Sequence, residues 1–403
     1  MEKKKIYLCL AHMTEAGLEG KYIQEAFDTN WVVPLGPNVD AFEKDLEAFV
    51  NKSLLDKRVV ALSSGTAAVH LALLASGVGA GDEVLVQSFT FCATSNPVAY
   101  LGAKPVFIDS ESDSWNMDPA LLEEAIRDRI AKTGRKPKAI VPVTLYGMPY
   151  DVDSIMAIAE HYDIPVIEDT AEAFGSCWKG RALGTFGRFG VLSFNGNKMI
   201  TTSGGGALIC KDDSERQHIL WLATQARESY PYYQHEAIGY NYRLSNICAG
   251  IGRGQMTVVN DHIAHHKHVY ETYREGLKGL DGIEVHGNPD NRYDSNFWLN
   301  TITLDPNVHV KGQEEAYKTQ PARSDCEPND NVEALRTWLD ARGIEARPLW
   351  KPMHKQPIHK DALAYLNGVS ESLFQVGLCL PSGPCVSDED LNFIIQTIIE
   401  AIG

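Results

Sequence analysis

Between residues 59 and 210 short apolar runs alternate with amphipathic stretches, and that rhythm leaves few folds open. The runs at 59–62, 83–86, 105–108, 139–143 and 165–167 read as strands; 66–76, 154–161 and stretches opening at Ser95 and Pro119 read as helices. A β-α-β-α order of this kind predicts a mostly parallel sheet with helices on both faces. Ligands of such sheets bind beyond the carboxyl ends of the strands. Ser63, Ser88 and Asp169 each follow a strand end, so one site could collect them.

The flanks carry different patterns. A helix is expected over 15–28; Pro34 and Pro37 stop it, and helical spacing resumes over 39–50. Residues 245–290 read as long helix, with strands of a smaller α/β domain at 294–305 and 344–350. The polar, irregular stretch 306–330 between those strands reads as a mobile loop or lid. A chain of 403 residues suits two domains: 1–260, an N-terminal segment with a large domain, and 261–403, a small C-terminal domain.

The net charge of −16 disfavours nucleic acid and anionic membrane surfaces as partners, though a few local cations suffice for an anionic small substrate. Eight cysteines without C-x-x-C spacing argue against zinc sites and a disulfide framework, and suit the cytoplasm. The apolar run at 6–10 is too short for a signal-peptide core. No apolar run approaches the roughly 20 residues of a membrane span.

Three motifs carry chemistry. Lys198 ends Ser193-Phe194-Asn195-Gly196-Asn197-Lys198, just before a glycine turn. Asp169 closes a strand 29 residues upstream, and Ser63-Ser64-Gly65-Thr66-Ala67-Ala68 links a strand to a helix. Together they offer an amine for a Schiff base, an anion for a pyridine nitrogen and a phosphate cup at a helix N-terminus: the needs of a pyridoxal phosphate (PLP) enzyme. The amides of Thr66 and Ala67 and the Thr66 hydroxyl could face the phosphate, with Ser193 as a second ligand. Glu172 lies one helical turn beyond Asp169 and could touch the cofactor or the substrate. Phe91 could stack on the ring. Taken singly each has a plainer reading: a capping turn, a capping aspartate, a solvated glutamate, a surface lysine, a core phenylalanine. The histidines at 262, 265, 266 and 268 read as a solvated helix face rather than a metal site. Gly204-Gly205-Gly206 lacks the strand–helix context of a dinucleotide loop.

In this order the residues resemble the DegT/DnrJ/EryC1/StrS family of sugar-nucleotide aminotransferases. The likeness runs through Asn30-Trp31-Val32-Val33-Pro34-Leu35-Gly36-Pro37, Ser64-Gly65-Thr66-Ala67-Ala68, Phe89-Thr90-Phe91, Glu168-Asp169-Thr170-Ala171-Glu172 and Gly184-Thr185-Phe186-Gly187. It continues through the lysine motif, Gly239-Tyr240-Asn241-Tyr242-Arg243-Leu244-Ser245 and Arg347-Pro348-Leu349-Trp350-Lys351-Pro352-Met353-His354. The resemblance implies PLP fold type I, an aspartate aminotransferase-like α/β fold. Its large domain holds a mostly parallel seven-stranded sheet, beside a smaller α/β C-terminal domain. It implies a homodimer in which Asn241 reaches the phosphate of the neighbouring subunit's site. Lys198 is then the Schiff-base lysine and proton shuttle, Asp169 the pyridine partner, and Thr66, Ala67 and Ser193 the phosphate ligands. Asn195-Gly196-Asn197-Lys198, Thr224-Gln225-Ala226-Arg227-Glu228 and Arg347-Pro348-Leu349-Trp350 are most similar to the UDP-N-acetylbacillosamine branch, which also has glutamate at the place of Glu172. That implies transfer of an amino group from L-glutamate, through pyridoxamine phosphate, to C4 of a UDP-4-keto-6-deoxy-N-acetylhexosamine for a bacterial surface glycan. Asn30, Trp31, Val32, Val33, Ala61, Arg347, Pro348, Leu349, Trp350, Lys351 and His354 resemble that branch's substrate contacts. Another nucleotide-linked ketosugar, a product with an axial C4 amine, and a PLP-binding regulator remain as alternatives.

Overall fold

A computed structural model describes residues 5–53, 55–318 and 324–403. The chain opens with helices α1 (Leu18–Asp28) and α2 (Pro37–Val50), the second started by Pro37 at its first turn. There follow β1 (Arg58–Leu62), α3 (Gly65–Ala75), β2 (Glu83–Gln87), α4 (Cys92–Tyr100), β3 (Lys104–Ile108) and α5 (Pro119–Thr133). Next come β4 (Ala139–Val141), α6 (Val152–Tyr162), β5 (Ile167–Asp169), the hairpin β6 (Cys177–Trp178) and β7 (Arg181–Ala182), β8 (Phe189–Ser193) and β9 (Gly206–Cys210). Helices α7 (Asp213–Ala223), α8 (Asn246–Met256) and α9 (Val259–Gly276) lead to β10 (Ile283–Val285), β11 (Tyr293–Asp294) and β12 (Asn300–Leu304). The chain ends with α10 (Asp330–Asp340), β13 (Arg347–Pro348), β14 (Ala364–Tyr365), α11 (Val369–Val376), β15 (Gly377–Leu380) and α12 (Asp388–Ile402).

Two four-stranded ladders, β1-β9-β8-β5 and β14-β3-β2-β4, meet where β4 and β5 bridge in parallel at Ile140–Val166 and Val143–Asp169. The joined sheet carries the expected seven strands, and β14 adds a parallel edge from the far end of the sequence. Of the seven, β9 alone runs against its neighbours. The strands are near-continuous runs of buried Val, Ile, Leu and Phe, as a sheet covered on both faces requires. A second, antiparallel sheet, β10-β12-β15-β13, has its own core with α10, α12 and the buried side of α9.

Several expectations are corrected in detail. The long helix expected over 245–290 is two helices, broken at Thr257 and Val258. The strand expected over 294–305 is two, separated by Ser295 to Leu299, and the one over 344–350 shrinks to β13. The chain crosses the expected division at 260 in both directions. Ile6 bridges Ile344 in the second core, while β14 pairs with β3 in the first sheet. Of the 306–330 loop, residues 319–323 lie outside the described residues; a short 3-10 turn occupies Gln313–Glu315.

Candidate active site

The sheet order places the carboxyl ends of β5 and β8 side by side, with that of β1 on the same edge beyond the amino end of the antiparallel β9. The turn after β8 carries the lysine. Between β8 and β9 the chain doubles back, with the Phe194 amide donating to Gly205 and the Thr202 amide to Phe194. Within that turn the Lys198 amide donates to the Asn195 carbonyl. A cleft of about 900 Å³ opens there, lined among others by Thr66, Phe91, Asp169, Glu172, Ser193, Lys198 and the stretch Arg347 to Lys351. This volume is at the upper end for small-molecule sites.

Lys198 Nζ lies 3.1 Å from Glu172 Oε1 and 4.0 Å from the centre of the Trp298 ring. The other Glu172 oxygen accepts from the Tyr146 amide at 2.8 Å. Burial pushes the Glu172 carboxyl up to about 7, against the pull of Lys198. Asp169, buried at the end of β5, accepts from Thr94 Oγ1 at 2.6 Å and from the Ala171 amide at 3.3 Å. Burial raises its carboxyl too, Thr94 opposing. A buried carboxylate in that condition favours a cationic partner. The thiol of Cys9, also in the cleft wall, is pushed up to about 12 by burial and offers no competing nucleophile.

At the start of α3 the Ser64 hydroxyl accepts from the Ala67 amide at 3.0 Å. That cap corrects the expectation for Ala67: its N–H is engaged. Among the described residues the amides of Gly65 and Thr66 have no protein acceptor, so these two are free to meet an anion. Ser193 lies against this helix start, its Oγ 3.3 Å from where a Gly65 side chain would begin. Gly206 at the head of β9 must lack a side chain, because a Cβ there would stand 2.4 Å from the Gly65 nitrogen. An amine, a buried anion and paired free amides beside a hydroxyl therefore share one cleft, the donor set that PLP requires.

Of the predicted substrate contacts, Arg347 to Lys351 line the cleft, and the others lie elsewhere. Ala61 is fully buried in β1, its amide bonded to Glu43 and its carbonyl to Arg243, so it cannot touch a ligand. His354 is outside the cleft lining, sharing a 2.7 Å hydrogen bond with Ser88. Trp31, Val32 and Val33 are exposed, as is Asn30, and none of the four lines the cleft. Asn241 is exposed and bridges Thr224. Lys351 Nζ donates to Ser324 Oγ and the Cys326 carbonyl, and Arg347 pairs with Glu345 at 2.9 Å. The solvated face expected of the α9 histidines holds for His268, which is exposed beside Asp388, but His262 and His266 are buried and donate to the Met199 and Phe297 carbonyls, with His265 half-buried between them.

Sequence reading missed Thr94, Tyr146, Asn296 and Trp298. Asn296 is the hub of this group: its Nδ2 donates to the Glu172 and Phe174 carbonyls, and its Oδ1 accepts from the Trp298 amide. Gly147, at φ 96°, packs so close that a Cβ would stand 2.0 Å from that oxygen. Replacing Asn296 with alanine strands two buried carbonyls. At about 1–3 kcal/mol each, the variant is expected to lose roughly 3 kcal/mol in urea unfolding.

Comparison with known proteins identifies the family and its cofactor. The family model for the DegT/DnrJ/EryC1/StrS aminotransferase family matches residues 14–399. The chain is 44% identical over 401 residues to EpsN of Bacillus subtilis (strain 168), whose name describes a pyridoxal phosphate-dependent aminotransferase; the match covers 98% of this chain and 95% of EpsN. It is 33% identical over 394 residues to the GDP-perosamine synthase of Escherichia coli O157:H7, covering 98% of each. Among solved structures, a DegT DnrJ EryC1 StrS aminotransferase from Brucella abortus superposes with a TM-score of 0.84 at 29% identity, covering 96% of each chain. Among the described residues no helix is long and apolar enough to cross a membrane.

Proposed function

This chain belongs to the DegT/DnrJ/EryC1/StrS aminotransferase family of PLP-dependent enzymes, and we propose that it moves the amino group of L-glutamate to C4 of a UDP-4-keto-6-deoxy-N-acetylhexosamine. The observation that carries the reading is the Lys198 amine, held between Glu172 and Trp298 in the cleft that Asp169 also lines. When bound, PLP supplies an electron sink that makes the C–H bond beside the transferred nitrogen acidic. Lys198 would bind the cofactor covalently; once displaced, its amine would carry a proton from the glutamate α-carbon to the cofactor and, in the second half-reaction, from the cofactor to C4 of the sugar. Asp169 would pair with the ring nitrogen, and Phe91 would cover the ring. Thr66, through its amide and hydroxyl, and Ser193 would hold the phosphate, with the Gly65 amide beside them. Glu172, its carboxyl raised to about 7 by burial, pairs with the Lys198 amine at 3.1 Å.

The acceptor rests on the lysine, Thr224–Glu228 and Arg347–Trp350 motifs, with an aromatic rim that suits a bulky nucleotide sugar. In that rim Trp350 lies 5.2 Å from Tyr146 and 5.5 Å from Phe91 between ring centres. Arg347 and Lys351 supply positive charge for a diphosphate or the donor's carboxylate. The exposed apolar run Trp31, Val32, Val33 and Leu35, with Tyr232, Tyr233 and Ile238, supports a homodimer, to which Asn241 would lend its amide. Pathway placement in a bacterial surface polysaccharide or glycoprotein follows from the same reading.

The likeness to GDP-perosamine synthase favours a second reading, a GDP-linked 4-ketosugar as acceptor. Incubating the yellow protein with glutamate and UDP-4-keto-6-deoxy-N-acetylglucosamine tests both. A UDP-4-amino sugar by mass spectrometry supports the first, and its H3–H4 and H4–H5 couplings give the C4 configuration. Bleaching by glutamate without a UDP product, but with amination of the GDP-ketosugar, supports the second. No response to glutamate removes both and favours a PLP-binding regulator.

A further inference from the structure

The Lys198 ammonium has two partners of opposite character. Glu172 offers a carboxylate, which can take a proton. Trp298 offers a ring face 4.0 Å away, well inside the roughly 6 Å reach of a cation–π contact, which attracts charge but has no lone pair to receive a proton. Trp298 is only 2% exposed, so its ring has no alternative place in solvent. Its indole Nε1 donates to the Asn197 carbonyl at 2.6 Å, the peptide from which Lys198 departs. Its backbone amide is fixed by Asn296, the residue that also holds the Glu172 carbonyl.

The segment that presents the ring is under backbone strain. Phe297 sits at φ 51°, a left-handed conformation unfavourable for a bulky residue, and is kept there by stacking on Tyr270 and by a hydrogen bond from His266 to its carbonyl. Strain of this kind persists where surrounding contacts over-determine it, and it clusters at functional sites. Trp298 follows Phe297 directly, two residues ahead of β12, and reaches the lysine turn of the first sheet.

From these contacts we propose that Trp298 is a positioning residue for Lys198: its ring face seats the lysine amine, and its indole N–H anchors the peptide before it. The inference rests on the reading of Lys198 as the lysine that binds PLP and carries the proton. A lysine has four rotatable bonds, and a proton carrier must return to one place in each half-reaction. A carboxylate alone would hold the ammonium in one ion pair. The broad, non-basic face lets the amine move while keeping it over the cleft.

The test uses full-length protein with PLP bound. Trp298→Leu keeps an apolar side chain but loses both contacts; Trp298→Phe keeps a ring face and loses the N–H. Bleaching of the yellow colour is followed with glutamate and with α-deuterated glutamate. The Leu variant is expected to bleach about 3- to 30-fold more slowly, the span of a cation–π contact. Its isotope effect should be larger and its KM for glutamate little changed, because proton transfer becomes limiting. The Phe variant should recover most of the rate. If the Leu variant does not fold, tryptophans with one to three ring fluorines, placed at 298 by nonsense suppression, replace the comparison. They keep the shape and drain the π face, so the rate should fall stepwise with fluorine count. A flat series, or Leu and wild-type proteins with equal rates and isotope effects, overturns the proposal. If Lys198→Ala bleaches normally, the reading of the lysine itself fails, a separate result from a flat series.

Discussion

Lys198→Ala should bind PLP without fixing it and lose at least about 10⁴-fold in the glutamate half-reaction. Proton transfer by a positioned base contributes about 10²–10⁴ on its own, and covalent capture of the cofactor is lost as well. The fold should survive. Lys198 makes one ion pair, with Glu172, and without the ammonium Glu172 can stay protonated and neutral in its buried seat. Borohydride followed by mass spectrometry reads the first effect: wild-type protein carries the cofactor covalently and the variant does not. Bleaching by glutamate reads the second. Lys198→Arg separates charge from proton transfer. A guanidinium can occupy the seat between Glu172 and Trp298 but cannot give up its proton, so this variant should be as inactive as alanine. Turnover by the Arg variant would mean that charge, not proton transfer, is what position 198 supplies.

Such a prediction could be drafted from sequence because the catalytic residues sit in local patterns. Lys198, Asp169, Thr66 and Ser193 each lie at or just past a strand end, and the β-α-β-α rhythm announces those ends. Their partners were illegible for a different reason. Trp298 meets the lysine turn at Asn197, 101 positions away in sequence, and Asn296 meets Glu172 124 positions away. Those pairings depend on how the second sheet docks, which no local period encodes. An asparagine and a tryptophan clustered just before a strand, in Ser295-Asn296-Phe297-Trp298, were the available signal. The antiparallel course of β9 was hidden likewise, since buried strands look alike whichever way they run. The histidines of α9 were misread because polar residues at helical spacing usually face water. Here His262, His265 and His266 face turns whose carbonyls need donors, and an imidazole provides one without a charge, while His268 stays exposed beside Asp388. Ala61 was drawn in by its neighbours' motif, although a small residue in mid-strand is core by default.

Those buried histidines predict a strong acid limit. Burial pushes His266 and His286 down to about 3, and also lowers His70, His262, His265, His354 and His359. Among the described residues Nε2 of His266 and of His286 has no partner, so a proton there would be a buried, unpaired donor. In the unfolded chain the same groups titrate near 6.5. Their contribution is therefore intact above about pH 6.5 and is lost as pH falls toward 3, each fully shifted histidine removing about 1.4 kcal/mol per pH unit. Glu172 works in the opposite sense: raised to about 7, it takes a proton in the folded state first and adds stability as pH falls to about 4.3. Glu168 and Asp169 are also raised. Asp45 is raised by burial as well, so two strongly shifted histidines and five weaker ones work against four carboxyls, and stability should fall gently from pH 6.5 to about 4.5. Below that the carboxyls stop compensating and the loss should steepen. Over a marginal total of about 5–15 kcal/mol, unfolding near pH 4 is expected. Urea midpoints at pH 7, 6, 5 and 4.5 measure the slope. His266→Asn can still donate to the Phe297 carbonyl but cannot titrate, so it should flatten the curve by up to about 1.4 kcal/mol per pH unit. An unchanged slope would show that His266 takes up its proton without unfolding.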